Sequence, residues 1–244
     1  MSVGITKQFF DSYNRLSSAV QKRAFDVLET FGTDSRRAGT KLEKLKKSAS
    51  GNTYSIRVDQ ANRIILGKTG NEDLFVALYV AHHDDAYDWA ESHKFETNPT
   101  TGTVQIFRTV ESAAPIVVET KLATSEELIF KDLSDEDLFK LSVPMEWVPR
   151  ILKINSLNEL EKLEPNLPTD TFEALSLIAS GETFHDVLDL FNFVPETHDD
   201  NFDPTETTFK PSLGRDVHVP ENMEELTRIL GQPLGHWRVF LHPS

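Results

Sequence analysis

The residues best suited to chemistry lie between Tyr54 and Tyr87: Arg57, Arg63, His82, His83, Asp84, Asp85 and Tyr87. Two guanidinium groups can hold a phosphate, an imidazole can exchange a proton near neutral pH, and a phenol can donate a hydrogen bond to developing charge. Together they suit cleavage of a phosphodiester through its neighbouring 2′-hydroxyl, which requires no metal. The plainer alternative is that the histidines are solvent-facing and the charges merely solvated. A metal cluster at His82-His83-Asp84-Asp85 is disfavoured. Adjacent residues on an extended segment point to opposite sides, so two neighbouring histidines do not easily share one ion. Asp199-Asp200-Asn201-Phe202-Asp203 spaces oxygens somewhat like a calcium loop, but Pro204 stands where Gly is required and Lys210 where the bidentate Glu belongs. No metal or cofactor is expected.

The elements that would position these groups follow from periodicity. In 53–59, Tyr54, Ile56 and Val58 alternate with Ser55, Arg57 and Asp59. Residues 62–67 and 73–80 are short, apolar and rich in β-branched or aromatic side chains, with turn residues Asp59-Gln60 and Gly70-Asn71 between the runs. This predicts an antiparallel meander that leaves Arg57 and Ser55 free to meet a ligand. A helical turn or two is expected over 85–92 and one further strand over 103–109. Before the meander, Phe9, Phe10, Tyr13 and Leu16 share helical spacing over 5–16. A capping pattern at Ser18 and Gln21 then precedes Val20, Ala24, Val27, Leu28 and Phe31, and Gly32 supplies a stop. Two antiparallel amphipathic helices thus pack one face of the sheet. Residues 35–47 suggest a short helical or irregular basic segment.

From Glu119 the texture becomes that of acidic, capped short helices, with capping boxes at Ser134–Asp137 and Ser156–Glu159. Residues 193–222 read as an acidic flexible linker, and Glu221–Leu230 as a final helix. The expected architecture is α+β: a small antiparallel sheet with an N-terminal helical hairpin over 1–110, then a mostly α-helical region. That region divides into a helical domain over 119–192, the linker, and a C-terminal helix and docking tail over 223–244.

The 244-residue chain has no cysteine, so it lacks disulfides and thiolate metal sites. No run of eighteen apolar residues or apolar signal core occurs, and a cytoplasmic protein away from membranes is the expectation. The net charge of −14 is uneven: residues 1–110 carry fifteen Lys and Arg against thirteen Asp and Glu, whereas residues 111–244 carry ten against twenty-six. The first part suits a polyanionic partner, with Lys44, Lys46, Lys47, Arg57 and His82 as candidate nucleic-acid contacts; the second repels one. Phosphate loops of the G-x-x-x-x-G-K-[ST] and G-x-G-x-x-G types are absent, as are G-x-S-x-G and H-E-x-x-H, which excludes an ATPase or dinucleotide site in this chain.

A resemblance joins these observations. Two N-terminal helices, L-E-K-L-K, Y-S-I-R-V, N-R-I-I-L and L-Y-V-A-H-H-D-D-A-Y follow one another over residues 5–90, an order that resembles the RelE/ParE-type toxins. The resemblance implies a curled antiparallel sheet with helices on one face. It also implies a metal-independent endoribonuclease site of Arg57, Arg63, His83 and Tyr87, acting on RNA, in many members at the ribosome. Against strong activity, Ser55 stands where active members carry Lys, and Asp84 and Asp85 add negative charge where RNA phosphate would bind. H-H-D-D-A-Y-D-W-A, the L-x-V-P-x-x-W-x-P segment at Leu141–Pro149 and the closing W-R-V-F-L-H-P-S are similar to the N-terminal region of bacterial UvrD/Rep-type DNA helicases that carry a RelE-like domain. In those proteins the last segment precedes a Gln and the nucleotide-binding loop; here the sequence stops at Ser244. This likeness implies an accessory region with a helicase motor domain as partner, in cis or in trans, and Trp237, Val239, Phe240 and Leu241 as its docking residues. An RNA-cleaving toxin and an inactive toxin-fold binding module, with RNA, DNA or the ribosome as partner, are the other expectations.

Overall fold

Residues 2–33, 41–70, 74–98, 100–111, 128–191 and 217–231 are described by the structure, a computed structural model. They confirm an α+β architecture with a multi-stranded sheet and a helical region. Two compact units emerge: Met1–Phe95 with Arg215–Ser244, and Glu96–Gly214. Where the sequence suggested a first domain of residues 1–110, the first unit instead closes at Phe95 and takes in a segment from near the end of the chain.

The first unit opens in a strand, β1 (Ser2–Thr6), which the sequence reading had assigned in part to the first helix. Helix α1 spans Lys7–Asn14, and the Thr6 side chain caps it by accepting from the Phe9 N–H. Helix α2 spans Ser18–Thr33 and runs through Gly32 instead of stopping there. The expected Ser18–Gln21 box does not form: the Gln21 side chain donates to the Tyr13 carbonyl at 3.0 Å and so ties α2 back to α1. Strand β2 (Leu42–Lys44) replaces the expected helical or irregular basic segment.

The meander follows as β3 (Thr53–Arg57), β4 (Asn62–Lys68) and β5 (Leu74–His82), all antiparallel. Helix α3 spans His83–Ser92. The sheet order is β2-β3-β4-β5-β1, completed at the far edge by β8 (Val217–His218). β1 lies parallel to β5 and antiparallel to β8. Helix α9 (Met223–Leu230) follows β8. The strand β8 falls inside the stretch expected to be linker; residues 193–216 of that stretch, and the tail beyond Gly231, lie outside the described residues.

One face of the sheet carries the main core, where Ile5, Ile56, Ile64, Leu66, Phe75 and Val80 meet Phe9, Phe10, Leu28 and Phe31. Phe31 and Tyr54 each approach the Phe75 ring edge-on, at 5.2 and 5.5 Å. The hydroxyl of Ser12, on α1, donates to the Phe9 carbonyl and accepts from the Val80 N–H at 3.0 Å, joining helix to sheet inside the core.

The opposite face is covered too. Helix α3 packs against β4 and β5, burying Ala86 and Ala90, and Trp89 stacks on Tyr79 with ring centroids 5.1 Å apart. His93 also stacks on Trp89, at 4.5 Å, so three aromatic rings lie nearly parallel. Farther along, the Phe95 ring sits on Gly67: a Cβ built there would fall 2.4 Å from the ring, so only glycine fits.

A separate two-stranded sheet pairs β6 (His93–Thr97) with β7 (Val104–Arg108). In the second unit follow the short helices α4 (Asp135–Lys140), α5 (Val148–Ile151), α6 (Leu157–Glu161), α7 (Thr169–Ala179) and α8 (Phe184–Phe191). The Ser134–Asp137 capping box forms as expected, whereas Ser156 makes no side-chain cap. Trp147, fully buried, anchors this core and donates its indole N–H to the Arg108 carbonyl at 2.9 Å. Ser142 adopts a left-handed conformation, φ 60°. Its carbonyl accepts from Thr171 Oγ1 at 2.7 Å and from the Gln105 side chain, which offsets the cost of that backbone. Among the described residues no helix is long and apolar enough to cross a membrane.

Candidate functional site

The register brings most of the candidate residues to one end of the first unit's sheet. Arg57 ends β3 and pairs with Arg63 at the start of β4; Arg63 pairs with Ala81 on β5, and His82 with Asn62. The His83 N–H then donates to the Ala61 carbonyl at 2.7 Å, so α3 starts directly over the β3–β4 turn. Tyr87 follows one helical turn after His83, and their rings lie 4.3 Å apart.

The turn itself is held by Asp59. Its Oδ1 accepts from the N–H groups of Ala61 and Asn62, both at 2.9 Å, and Oδ2 faces Arg23 at 3.6 Å. Desolvation alone would raise this carboxyl, but the hydrogen bonds from Asn62 and Ala61 outweigh it and hold Asp59 below the usual carboxylate range.

The two arginines differ. Arg57 is exposed and makes no ion pair among the described residues, so its guanidinium is available to a phosphate. Arg63 is buried, and its Nη1 donates to the carbonyls of Asp59 and Asn62 at 2.8 and 2.9 Å. This guanidinium braces the turn. Ser55, expected to face a ligand, is buried at 2 % exposure. Alternation does place it opposite Ile56, but that face lies in the interior and not in solvent, so the expectation is corrected.

His82 is exposed, and His83 is partly so. His83 Nδ1 lies 2.9 Å from Asp84 Oδ1, and this hydrogen bond is the chief reason the Asp84 carboxyl sits below its usual range. Asp84 and Asp85 are themselves exposed, so this end of the sheet carries both signs of charge. Among the described residues no group of His, Asp and Glu could hold a metal ion.

Lys44, Lys46 and Lys47 are exposed but stand apart. Lys44 pairs with Tyr54, three residues from Arg57, which is about 10 Å along the strand. The pleat places it on the opposite face. Lys46 and Lys47 continue away from Arg57, since the Leu45 N–H bonds to Thr53. What the sequence reading missed is the Tyr79–Trp89–His93 stack and Arg63's role. The i, i+4 spacing of Trp89 and His93 is a signal for part of the first; nothing in the side-chain pattern signals a guanidinium bound to main-chain carbonyls.

No protein-family profile matches the chain, and a search of curated proteins finds no match. Among solved structures, the YoeB/ParE toxin from Agrobacterium tumefaciens is similar over 34% of this chain and 99% of its own, with 18% sequence identity and a TM-score of 0.28. At that score the likeness supports neither shared site residues nor a shared mechanism.

Proposed function

We propose that the chain is an accessory, nucleic-acid-linked module whose first unit keeps a toxin-type scaffold but binds nucleic acid without turning it over efficiently. The observation that carries this reading is the division of labour between the arginines. Arg57 is open to a phosphate, while Arg63, the second expected phosphate ligand, is committed to the Asp59 and Asn62 carbonyls. Among the candidate residues, one open guanidinium near two exposed aspartates suits positioning of a strand better than stabilisation of a pentacovalent phosphate, which gathers charge that several donors must meet. The setting beside a UvrD/Rep-type motor domain, in cis or in trans, rests on the likeness of the H-H-D-D-A-Y-D-W-A, Leu141–Pro149 and closing segments.

The test is fluorescence anisotropy with a labelled single-stranded RNA and the matching DNA over a salt series. Arg57→Ala is expected to weaken binding and to reduce the salt slope by about 0.7, the share of one phosphate contact on a single strand. An unchanged slope would remove the interface. In parallel, an ATPase assay of a UvrD-type motor domain with and without this chain examines the setting.

A second reading, RNA cleavage, is favoured by one arrangement: the His83 ring against Tyr87 at the same sheet end as Arg57. It requires RNA to be cut by the intact chain and spared by His83→Ala and Tyr87→Phe. Intact RNA after long incubation is the outcome expected here.

A further inference from the structure

The first unit is not made by one continuous stretch. Its sheet is finished by β8, more than a hundred residues after β7, and α9 lays Leu226, Ile229 and Leu230 into the main core. We propose that the β1 edge and the apolar face beside it form a docking site for a strand–turn–helix peptide, filled in this chain by its own Val217–Leu230.

Three observations argue for a site with a ligand, as opposed to a sheet that merely ends there. First, the segment holds its shape through its own residues. Asn222 Oδ1 caps α9 by accepting from the Glu225 N–H at 2.9 Å, and Glu225 Oε2 accepts from the Glu221 N–H at 2.7 Å. Glu225 Oε1 meets His218 Nε2 at 3.1 Å, which ties the strand to the helix. A peptide of these residues therefore carries the information for its bound form.

Second, β1 is built to receive it. A Cβ on Gly4 would lie 3.3 Å from Val217 Cγ1 and 3.3 Å from Val219 Cγ2, so the missing side chain makes room for two valines over the strand. Ile5 and Thr6 pair with His218 and Val217 at the edge.

Third, the attachment is two-sided and small. A two-residue strand grips the edge, and one amphipathic helix supplies apolar side chains at i, i+3 and i+4 to the other side. These are the elements of strand addition and of helix-in-groove recognition, used together. The edge of β1 would otherwise present unpaired main-chain groups to any passing strand. The ligand class is accordingly a short extended dipeptide followed by an Asn-capped helix with Leu and Ile on one face.

The experiment uses the full chain with a specific protease site inserted between Pro204 and Thr205. After cleavage, the C-terminal fragment is expected to remain bound on gel filtration. A fluorescein-labelled peptide of residues 215–231 is then expected to exchange into the cut protein, with uncut chain competing through its tethered copy and so binding at least about tenfold less peptide. Leu226→Asp in the peptide should weaken binding at least about thirtyfold, the loss expected for a fully buried leucine. Gly4→Val in the host should weaken it comparably while far-UV circular dichroism of the host stays unchanged. Release of the fragment with no peptide binding would overturn the proposal, as would a fragment that neither leaves nor exchanges over days. A Gly4→Val host that binds as tightly as the parent would remove the assigned site. A dimer formed by exchange of the segment between copies, seen by sedimentation, would overturn the chain's own segment as occupant.

Discussion

Replacing Arg63 separates a brace from a phosphate ligand. Its Nη1 makes two donations, to Asp59 O at 2.8 Å and Asn62 O at 2.9 Å, and the side chain is buried. Hydrogen bonds with one charged partner contribute about 1.5–3 kcal/mol each. Both carbonyls belong to half-buried residues that water can partly rescue, and both bonds share one nitrogen, so they do not add fully. Arg63→Ala is therefore expected to cost about 2–3 kcal/mol, concentrated in the β3–β4 hairpin. Arg57→Ala, at an exposed position, should cost less than about 0.5 kcal/mol. Hydrogen–deuterium exchange at pH 7 resolves the hairpin from the second unit. In Arg63→Ala the amides of Asn62–Lys68 should exchange about thirtyfold to a hundredfold faster, while Arg57→Ala leaves them near the parent rate. The reverse on function is expected, with Arg57→Ala losing nucleic-acid affinity and Arg63→Ala, measured where it is folded, retaining it. If Arg63→Ala exchanges like the parent and yet no longer binds RNA, the guanidinium is a ligand and the bracing argument fails.

Gly67→Ala drives a methyl to 2.4 Å from the buried Phe95 ring and should cost about 1–3 kcal/mol by urea denaturation, whereas Gly51→Ala, with open space around it, should be close to neutral. Ser12→Ala leaves the Val80 N–H without its partner inside the core, an expected loss of about 1–3 kcal/mol, largely restored by Ser12→Thr if the added methyl is accommodated. Asp59 has its carboxyl held below the usual range, so it binds fewer protons folded than unfolded. Its contribution is present above the unfolded value, about 3.9, and is lost as pH falls through the lower folded value. Acid titration of the parent and Asp59→Asn should therefore converge in stability toward pH 2–3 and diverge above pH 4, with the parent more stable.

The meander was legible because its information is local. Tyr54, Ile56, Ile64 and Leu66 alternate as the pleat requires, and Asp59 marks the turn that its own carboxylate then closes. β1 was not, since S-V-G-I-T is too short to declare a period and Phe9, Phe10 and Tyr13 extend a helical spacing back over it. What makes it a strand is parallel pairing with β5, some seventy residues away. β8 is harder still: Val217-His218 becomes a strand only because Gly4 leaves space beside β1. At the candidate site the sequence singles out Arg57, Arg63, His82 and His83 by residue type, and the register brings them to one sheet end. Their availability was not foretold. Whether an arginine is free depends on carbonyls that every residue possesses, and whether Ser55 sees solvent depends on the tertiary packing that covers its face of the sheet.

That coverage narrows where the first unit can act. Among the described residues, α1 and α2 cover one face of the sheet, and α3, Trp89 and Phe95 pack on the other, which leaves the ends and edges of the described strands to a ligand. The edge beside β1 is filled by β8, and the edge at β2 offers three residues, two of them charged. A strand edge so short and so charged is protected against strand addition and not suited to it. The end at Arg57, His82, His83 and Tyr87 is therefore the place where exposed donors, an aromatic pair and main-chain turns coincide. A flexible, extended ligand can reach such an end.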